Sequence, residues 1–344
     1  SRVLNNKPGV SEKTRQHVLA VVEELGYIPP NRLHFSASTV THLGVLNRPM
    51  REALPANPFY GDVFHGIEQV CHEFHINLSF SSLDIVNGHL RSLPALVNDE
   101  RISGLIPVGA MPQGVVESVV ASAQLPIVLV DNYCAECAWD AVMTDNPRGA
   151  YMATEFLISR GHRHIALLGG PDHPSIVERR AGYEEALRQH DLVPTVVPSA
   201  DLELADGERA VVEVLQQAPE TTGVVCSNDL QCIGALRKLQ ELGYKVPDDF
   251  SLVGFDDINL VQFTSPPLTT IRVDRRALGQ IAAQLLLGRI SNSERLPIKA
   301  IVGVTLVERA SVCPPRTHNT VSKPKSQSPN PKAQSPNHQS VSSV

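Results

Sequence analysis

Val246-Pro247-Asp248-Asp249-Phe250-Ser251-Leu252-Val253-Gly254-Phe255-Asp256-Asp257 reads as the close of a helix, a buried strand, and a loop with two carboxylates just beyond it. A short apolar strand flanked by helical segments belongs in a parallel sheet covered on both faces. In such open sheets, ligands sit in the crevice outside the carboxyl ends of the strands. Asp256 and Asp257 therefore stand where a ligand would be met; the alternative for each is a turn or a helix cap.

Outward from this phrase the same alternation repeats. Apolar strand candidates fall at 42–46, 76–81, 102–108, 126–131, 164–169, 223–226 and 251–255, with helical periodicity at 60–75, 148–160, 178–189 and 229–242 among others. Strands alternating with helices give an α/β fold with parallel sheets. The units are too many for one compact sheet, so two doubly wound lobes are expected. The stretch 131–145 reads as long and irregular, a place for the chain to change lobes, and 266–273 reads as a second crossover.

At the amino end, Ser11 is a good N-cap with Val10 placed to staple, and Val18, Leu19, Val22 and Leu25 form one apolar face that Gly26 ends. Residues 1–6 read as the tail of another short helix, joined by a Lys7-Pro8-Gly9 turn. Two short helices at a turn suit a partial helix-turn-helix head. The chain does not begin with methionine and opens inside this motif, so it is read as lacking its true start. Residues 30–40 read as a hinge. Residues 313–344 are rich in Pro, Ser, Asn and Gln, contain no acids and have no heptad, and are expected to be a disordered tail.

The 344 residues carry a formal charge of −6, which excludes a generic polyanion binder while leaving a locally basic head possible. No apolar run approaches the roughly 18 residues of a membrane span, and no secretory signal precedes the first element, so the expected compartment is the cytoplasm. Cys134 and Cys137 form one CxxC without a second pair, which reads as a loop with two free thiols and not as a metal site. No dinucleotide fingerprint, phosphate loop or nucleophile elbow occurs, and His162 and His164 enter a strand without a visible base arrangement. Neither an enzyme nor a cofactor is expected.

Several phrases together resemble one family. Ser1-Arg2-Val3-Leu4-Asn5-Asn6, Val10-Ser11, Thr14-Arg15 and Glu24-Leu25-Gly26-Tyr27-Ile28-Pro29 resemble the second half of the lac repressor family (LacI/GalR) head. Asn57-Pro58-Phe59-Tyr60, the run from Gly161 to Pro171, Glu178-Arg179-Arg180-Ala181-Gly182-Tyr183, Ser227-Asn228-Asp229, the opening phrase and Pro266-Pro267-Leu268-Thr269-Thr270-Ile271 resemble the body's marks in order, out to about residue 312.

The resemblance implies a homodimeric, ligand-responsive transcriptional regulator, a repressor. Residues 1–29 would be the partial head, 30–40 the hinge and 41–312 a periplasmic-binding-protein-like body. Lobe 1 would take about 41–143 and 275–302, and lobe 2 about 144–271 and 303–312. In the family, the first helix and the start of the recognition helix precede the position of Ser1, so this chain is expected to bind operator DNA poorly. Arg2 would pair two-pronged with guanine. Ser1 and Asn5 lie beside it, and Ser11 and Thr14 would meet a phosphate. Asn31 lies in the hinge, where Leu33 or Phe35 would wedge between base steps. The effector, a sugar or related polyol, would meet Phe59, Asp131, Arg179, Asn228, Asp256 and Arg275. Arg275 either reaches the crevice or lies at the lobe hinge, and capping of the helix after Asn228 is assigned to Asp229. Trp139 is read as packing. The competing reading is an exported solute-binding protein without a DNA role, against which the head motif and the absent signal both speak. No membrane partner is expected.

Overall fold

The computed structural model describes Ser11, residues 13–16, Val18, and residues 40–48, 54–109, 111–132 and 139–316. The first sheet holds β1 (His42–Asn47), β2 (Asn77–Ser82), β5 (Ile102–Val108), β6 (Val128–Val130), β7 (Asp140–Thr144) and β13 (Lys299–Val302), in the order β13-β7-β6-β5-β1-β2 and parallel throughout. The second holds β8 (Ile165–Leu168), β9 (Thr195–Val197), β10 (Gly223–Cys226), β11 (Ser251–Asp256), β12 (Thr269–Val273) and β14 (Val304–Val307), in the order β14-β12-β11-β10-β8-β9. Only β14 runs antiparallel within it, to β12. A small hairpin, β3 (Asp84–Val86) with β4 (His89–Ser92), turns through Asn87 and Gly88, both at positive φ, as a tight two-residue hairpin requires.

Among the described residues from 40 onward, the α-helices are α1 (Tyr60–Glu73), α2 (Gln113–Ala123), α3 (Asn146–Ser159), α4 (Pro174–Gln189), α5 (Leu204–Gln217), α6 (Asp229–Glu241) and α7 (Arg275–Ser291). Strand residues alternate between two cores in each lobe. In lobe 1, Val45 and Ile106 pack with Ile67 of α1 and Leu286 of α7, while Leu46 and Leu105 pack with Val115 and Val119 of α2. In lobe 2, Val225 and Val253 face Leu157 and Tyr183 of α3 and α4, while Val224 and Leu252 face Val211 and Leu236 of α5 and α6. Burial on both faces explains why these strands read as unbroken apolar runs. Each buried Leu or Val contributes about 1.5–3 kcal/mol.

The chain passes between sheets at Asp145, Asp274 and Gly303. The first two residues are also N-caps: Asp145 accepts from the Arg148 amide and Asp274 from the Ala277 amide. These two crossovers thus end in a fixed helix start, while the third runs directly from β13 into β14. The stretch expected to be irregular contains β7, every residue of which is buried. Its Ala-Val-Met run fits between β6 and β13, a pairing that no local pattern announces. Residues 269–273, read as crossover, are likewise strand β12. Trp139 packs partly buried on the α2 side of lobe 1.

The tail also starts later than expected. Cys313 accepts from His162 Nε2 at 2.9 Å and from Ser251 Oγ at 3.1 Å, and Arg316 pairs with Asp248 and Asp249. These bonds fasten residues 313–316 to lobe 2; the rest of the expected tail lies outside the described residues. His162 also meets Thr222 Oγ1 at 2.8 Å, so it is a fastener within lobe 2. Among the described residues, no helix is long and apolar enough to cross a membrane, and no group of His, Cys, Asp and Glu could hold a metal.

Candidate functional site

A cleft of about 810 Å³, measured out to its mouth, opens between the carboxyl ends of the two sheets. Lobe 1 lines it with Arg48, the Asn57–Tyr60 loop and Asp131; lobe 2 lines it with Pro171, His173, Ser175, Ile176, Arg179, Asp201–Glu203, Asn228, Leu230, Asp256 and Ile258. Phe59, Asp131, Arg179, Asn228 and Asp256 are thus brought together by folding. Arg275 is not among the lining residues.

Asn57 builds the lobe 1 wall. Its Oδ1 accepts from the amides of Phe59 (3.0 Å) and Tyr60 (2.9 Å) and so turns the chain into α1. Phe59 stacks edge-on against Tyr60, with centroids 4.9 Å apart. Tyr60 Oη donates to Asp131 Oδ2 at 2.7 Å. Burial, and then the neighbouring Asp131 carboxylate, hold the Tyr60 phenol well above its ordinary value, so it stays a donor. Asp131 Oδ1 is buried and has no partner. Asp131 lies at φ 53°, and Asp256 across the cleft at φ 111°. Asp tolerates the left-handed region better than most residues do, because its short side chain bonds locally.

The lobe 2 wall is a network. Arg179 Nε donates to Asn146 Oδ1 at 2.9 Å, Nη1 donates to the Ser227 carbonyl, and Nη2 meets Asp256 Oδ1 at 3.4 Å. Its guanidinium lies 3.7 Å over the Phe255 ring. Despite Arg179 and Arg275, burial pushes the Asp256 carboxyl up to about 6, with Asp131 adding to the rise. Desolvation outweighs the two cations because the long contact to Arg179 compensates the charge only in part.

Two assignments change. Asn228, not Asp229, caps α6: its Oδ1 accepts from the Gln231 amide at 2.9 Å, and its Nδ2 donates to the Leu202 carbonyl. Asp229 is buried one residue further on, where its carboxylate accepts from the Ile258 amide at 2.8 Å and Thr270 Oγ1 at 2.6 Å and fixes the loop after Asp256. Arg275 reaches from the start of α7 beneath the cleft to the Asp256 carbonyl and to Asp62. Asp257 is tied to Arg272 and Arg309, away from the ligand wall.

Tyr60, His173 and Arg48 are cleft residues that sequence reasoning did not assign. His173 Nδ1 accepts from the Ser175 amide at 3.3 Å as the cap of α4 and lies 2.7 Å from Ser175 Oγ; with that hydroxyl donating as well, a neutral ring carries its proton on Nε2. Burial lowers the ring's basicity and keeps it neutral. That Nε2 is buried without a partner. Arg48 and Asp201 face each other across the mouth at 3.7 Å. The Pro-Asp-His-Pro loop carries no motif; its one legible signal is its place just beyond β8.

Of the residues assigned to DNA, the described ones are Ser11 and Thr14. Ser11 Oγ accepts from the Thr14 amide at 3.2 Å, as an N-cap does, and the two exposed hydroxyls meet at 2.7 Å. Ser1, Arg2, Asn5, Asn31, Leu33 and Phe35 lie outside the described residues, as do Cys134 and Cys137.

Residues 1–30 match the family model of bacterial regulatory proteins, lacI family, and residues 154–312 match that of a periplasmic binding protein-like domain. The chain is 30% identical over 301 residues to the HTH-type transcriptional repressor PurR of Aliivibrio fischeri (strain MJ11), covering 86% of this chain and 88% of that protein. Among solved structures, the transcriptional regulator CelR–cellobiose complex is similar at TM-score 0.71 and 26% identity, covering 90% of this chain and 94% of that one. The lac repressor dimer bound to operator and the anti-inducer ONPF is similar at TM-score 0.70 and 26% identity, covering 91% and 94%.

Proposed function

Because the chain belongs to the lacI family of bacterial regulatory proteins, we propose that it is a ligand-responsive transcriptional repressor, not an enzyme, whose effector is a neutral polyhydroxylated molecule held between the lobes. The observation that carries the effector class is a set of three orphaned atoms in the cleft: an acceptor, Asp131 Oδ1, and two donors, His173 Nε2 and Arg48 Nε. A sugar hydroxyl both donates and accepts, so vicinal hydroxyls satisfy acceptor and donors alike. Arg179 directs each of its three nitrogens to an acceptor within the protein, which places its guanidinium as part of the wall. Phe59, Asp131, His173, Arg179, Asn228 and Asp256 are the proposed contacts. Asn228 can offer only the amide hydrogen that Leu202 does not take.

The proposed partners are a second copy of the chain and a near-palindromic operator, met in the cytoplasm. Ser1, Arg2, Asn5, Ser11, Thr14 and Asn31, with Leu33 or Phe35, are the proposed DNA contacts. An effector acts only if it favours one lobe arrangement over the other. The matched head at residues 1–30 speaks against a solute-binding protein without a DNA role.

A thermal-shift panel of pentoses, hexoses, disaccharides and nucleobases tests the effector class, and a neutral sugar is the expected hit. Arg179→Ala and Asp256→Ala should each abolish its shift; equal stabilisation of both variants would remove the pocket assignment. For the head, Arg2→Ala should weaken preferred duplex more than random duplex, and uniform weakening would make Arg2 a phosphate clamp.

A further inference from the structure

Asp256 belongs to lobe 2, yet its main chain is held from lobe 1. Arg275, the first residue of α7, donates through Nη1 to the Asp256 carbonyl. Its other donors, Nε and Nη2, meet Asp62 Oδ2 at 3.1 and 2.9 Å. Asp62 lies in the first turn of α1, two residues after Tyr60 of the ligand wall. Although its partial burial would raise it, the bonds from Arg275 and Arg276 hold the Asp62 carboxyl below its ordinary value.

The two helices that carry this pair cannot slide past each other. A Cβ at Gly66 of α1 would overlap the Arg276 carbonyl, and a Cβ at Gly279 of α7 would overlap the Val63 carbonyl. Backbone packed on backbone makes α1 and α7 one rigid unit, so Asp62 and Arg275 move together with the Phe59–Tyr60 wall. What they grip is the strained point of the opposite wall: Asp256, at φ 111°. Strain of this kind persists only where surrounding contacts over-determine it. From lobe 2, Asp229 holds the Ile258 amide and Arg309 holds Asp257. At Asp256 itself, lobe 2 supplies Arg179 to the side chain and the β12 pairing, and Arg275 adds the hold on the carbonyl.

We propose that Arg275, braced by Asp62, is a positioning residue that fixes the Asp256 backbone in its ligand-facing conformation and couples the lobe 2 effector wall to the α1–α7 unit of lobe 1. Arg275 does not touch the effector; it sets the atom that does and links lobe closure to occupancy. The inference rests on the effector reading above, but its test does not need an effector.

Hydrogen–deuterium exchange of the unliganded full chain, followed by mass spectrometry, reads peptides over 252–262 against control peptides over 223–227 and 165–169. Arg275→Gln should raise exchange in the first region at least tenfold and leave the controls unchanged. Arg275→Lys should restore part of the protection. Asp62→Asn should give a smaller rise that adds nothing in the double variant, since both act through one bond. Unchanged exchange at 252–262, or an equal rise in all peptides, would overturn the positioning role. Isothermal titration with D-ribose and with cellobiose adds an independent arm. For whichever sugar binds wild type, Arg275→Gln should weaken binding about tenfold, by a common factor if both bind; a loss confined to one of two binding sugars would make Arg275 a direct contact. Binding of neither by wild type counts against the effector reading and leaves the exchange result to decide the clamp.

Discussion

Asp131 and Asp256 hold matching positions in the two lobes. Asp131 follows buried strand β6 and Asp256 ends buried strand β11, each lies at positive φ, and each lines the same cleft. Their surroundings differ. Asp131 has one neutral donor, Tyr60, and keeps an unpartnered oxygen. Asp256 sits inside a network of two arginines that is still too little to offset its burial. Lobe 1 therefore presents an acceptor to be filled, and lobe 2 presents a pre-built wall that depends on its own internal pairing. The two walls should fail differently: lobe 2 through stability, lobe 1 and its facing donor through affinity.

The largest effect should come from Arg179→Met. It strands the Asp256 carboxylate, the Ser227 carbonyl and the Asn146 amide oxygen in a buried site, at a cost of about 3–5 kcal/mol. Urea unfolding at neutral pH measures it, and a loss under ~1 kcal/mol would mean that the wall is not interdependent.

Next comes the pH dependence of Asp256. Its folded carboxyl, at about 6, lies above the unfolded value of about 3.9. The stabilising contribution is therefore fully present below the unfolded value and lost as pH rises through about 6. Asp256→Asn, which mimics the protonated acid, should match wild type near pH 4. It should become the more stable of the two between pH 4 and 6, by about 3 kcal/mol at most, and then level off. A constant difference across that window would show that the acid is ionised throughout.

The smallest change in stability should come from His173→Asn, which keeps an acceptor to cap α4 and gives up only the Nε2 donor, which has no partner to lose. Unfolding free energy should stay within about 1 kcal/mol of wild type, while affinity for the identified sugar should fall roughly fivefold to tenfold, the worth of one hydrogen bond. Unchanged affinity would turn the orphaned donor from a ligand contact into a capping residue alone.

Much of this site was legible beforehand. Asp131, Asn228 and Asp256 follow apolar strands, and the crevice lies at strand carboxyl ends; the family resemblance added Arg179 and Phe59. His173 was missed because its loop has no signature, and Tyr60 because its partner Asp131 is 71 residues away. Arg275 was grouped with the ligand contacts because nothing in its neighbourhood announces Asp62, 213 residues distant. Asn228 and Asp229 were exchanged because either residue type can cap a helix, and only the φ/ψ of each decides which one does.

By itself the sequence determined two doubly wound lobes and a head, because a period of helices between doubly buried strands admits few other folds. The tertiary structure alone decided which polar atoms of the cleft are satisfied and which remain open. Pairing between side chains tens or hundreds of residues apart is set by how the sheets and helices dock, and local spacing carries no record of it.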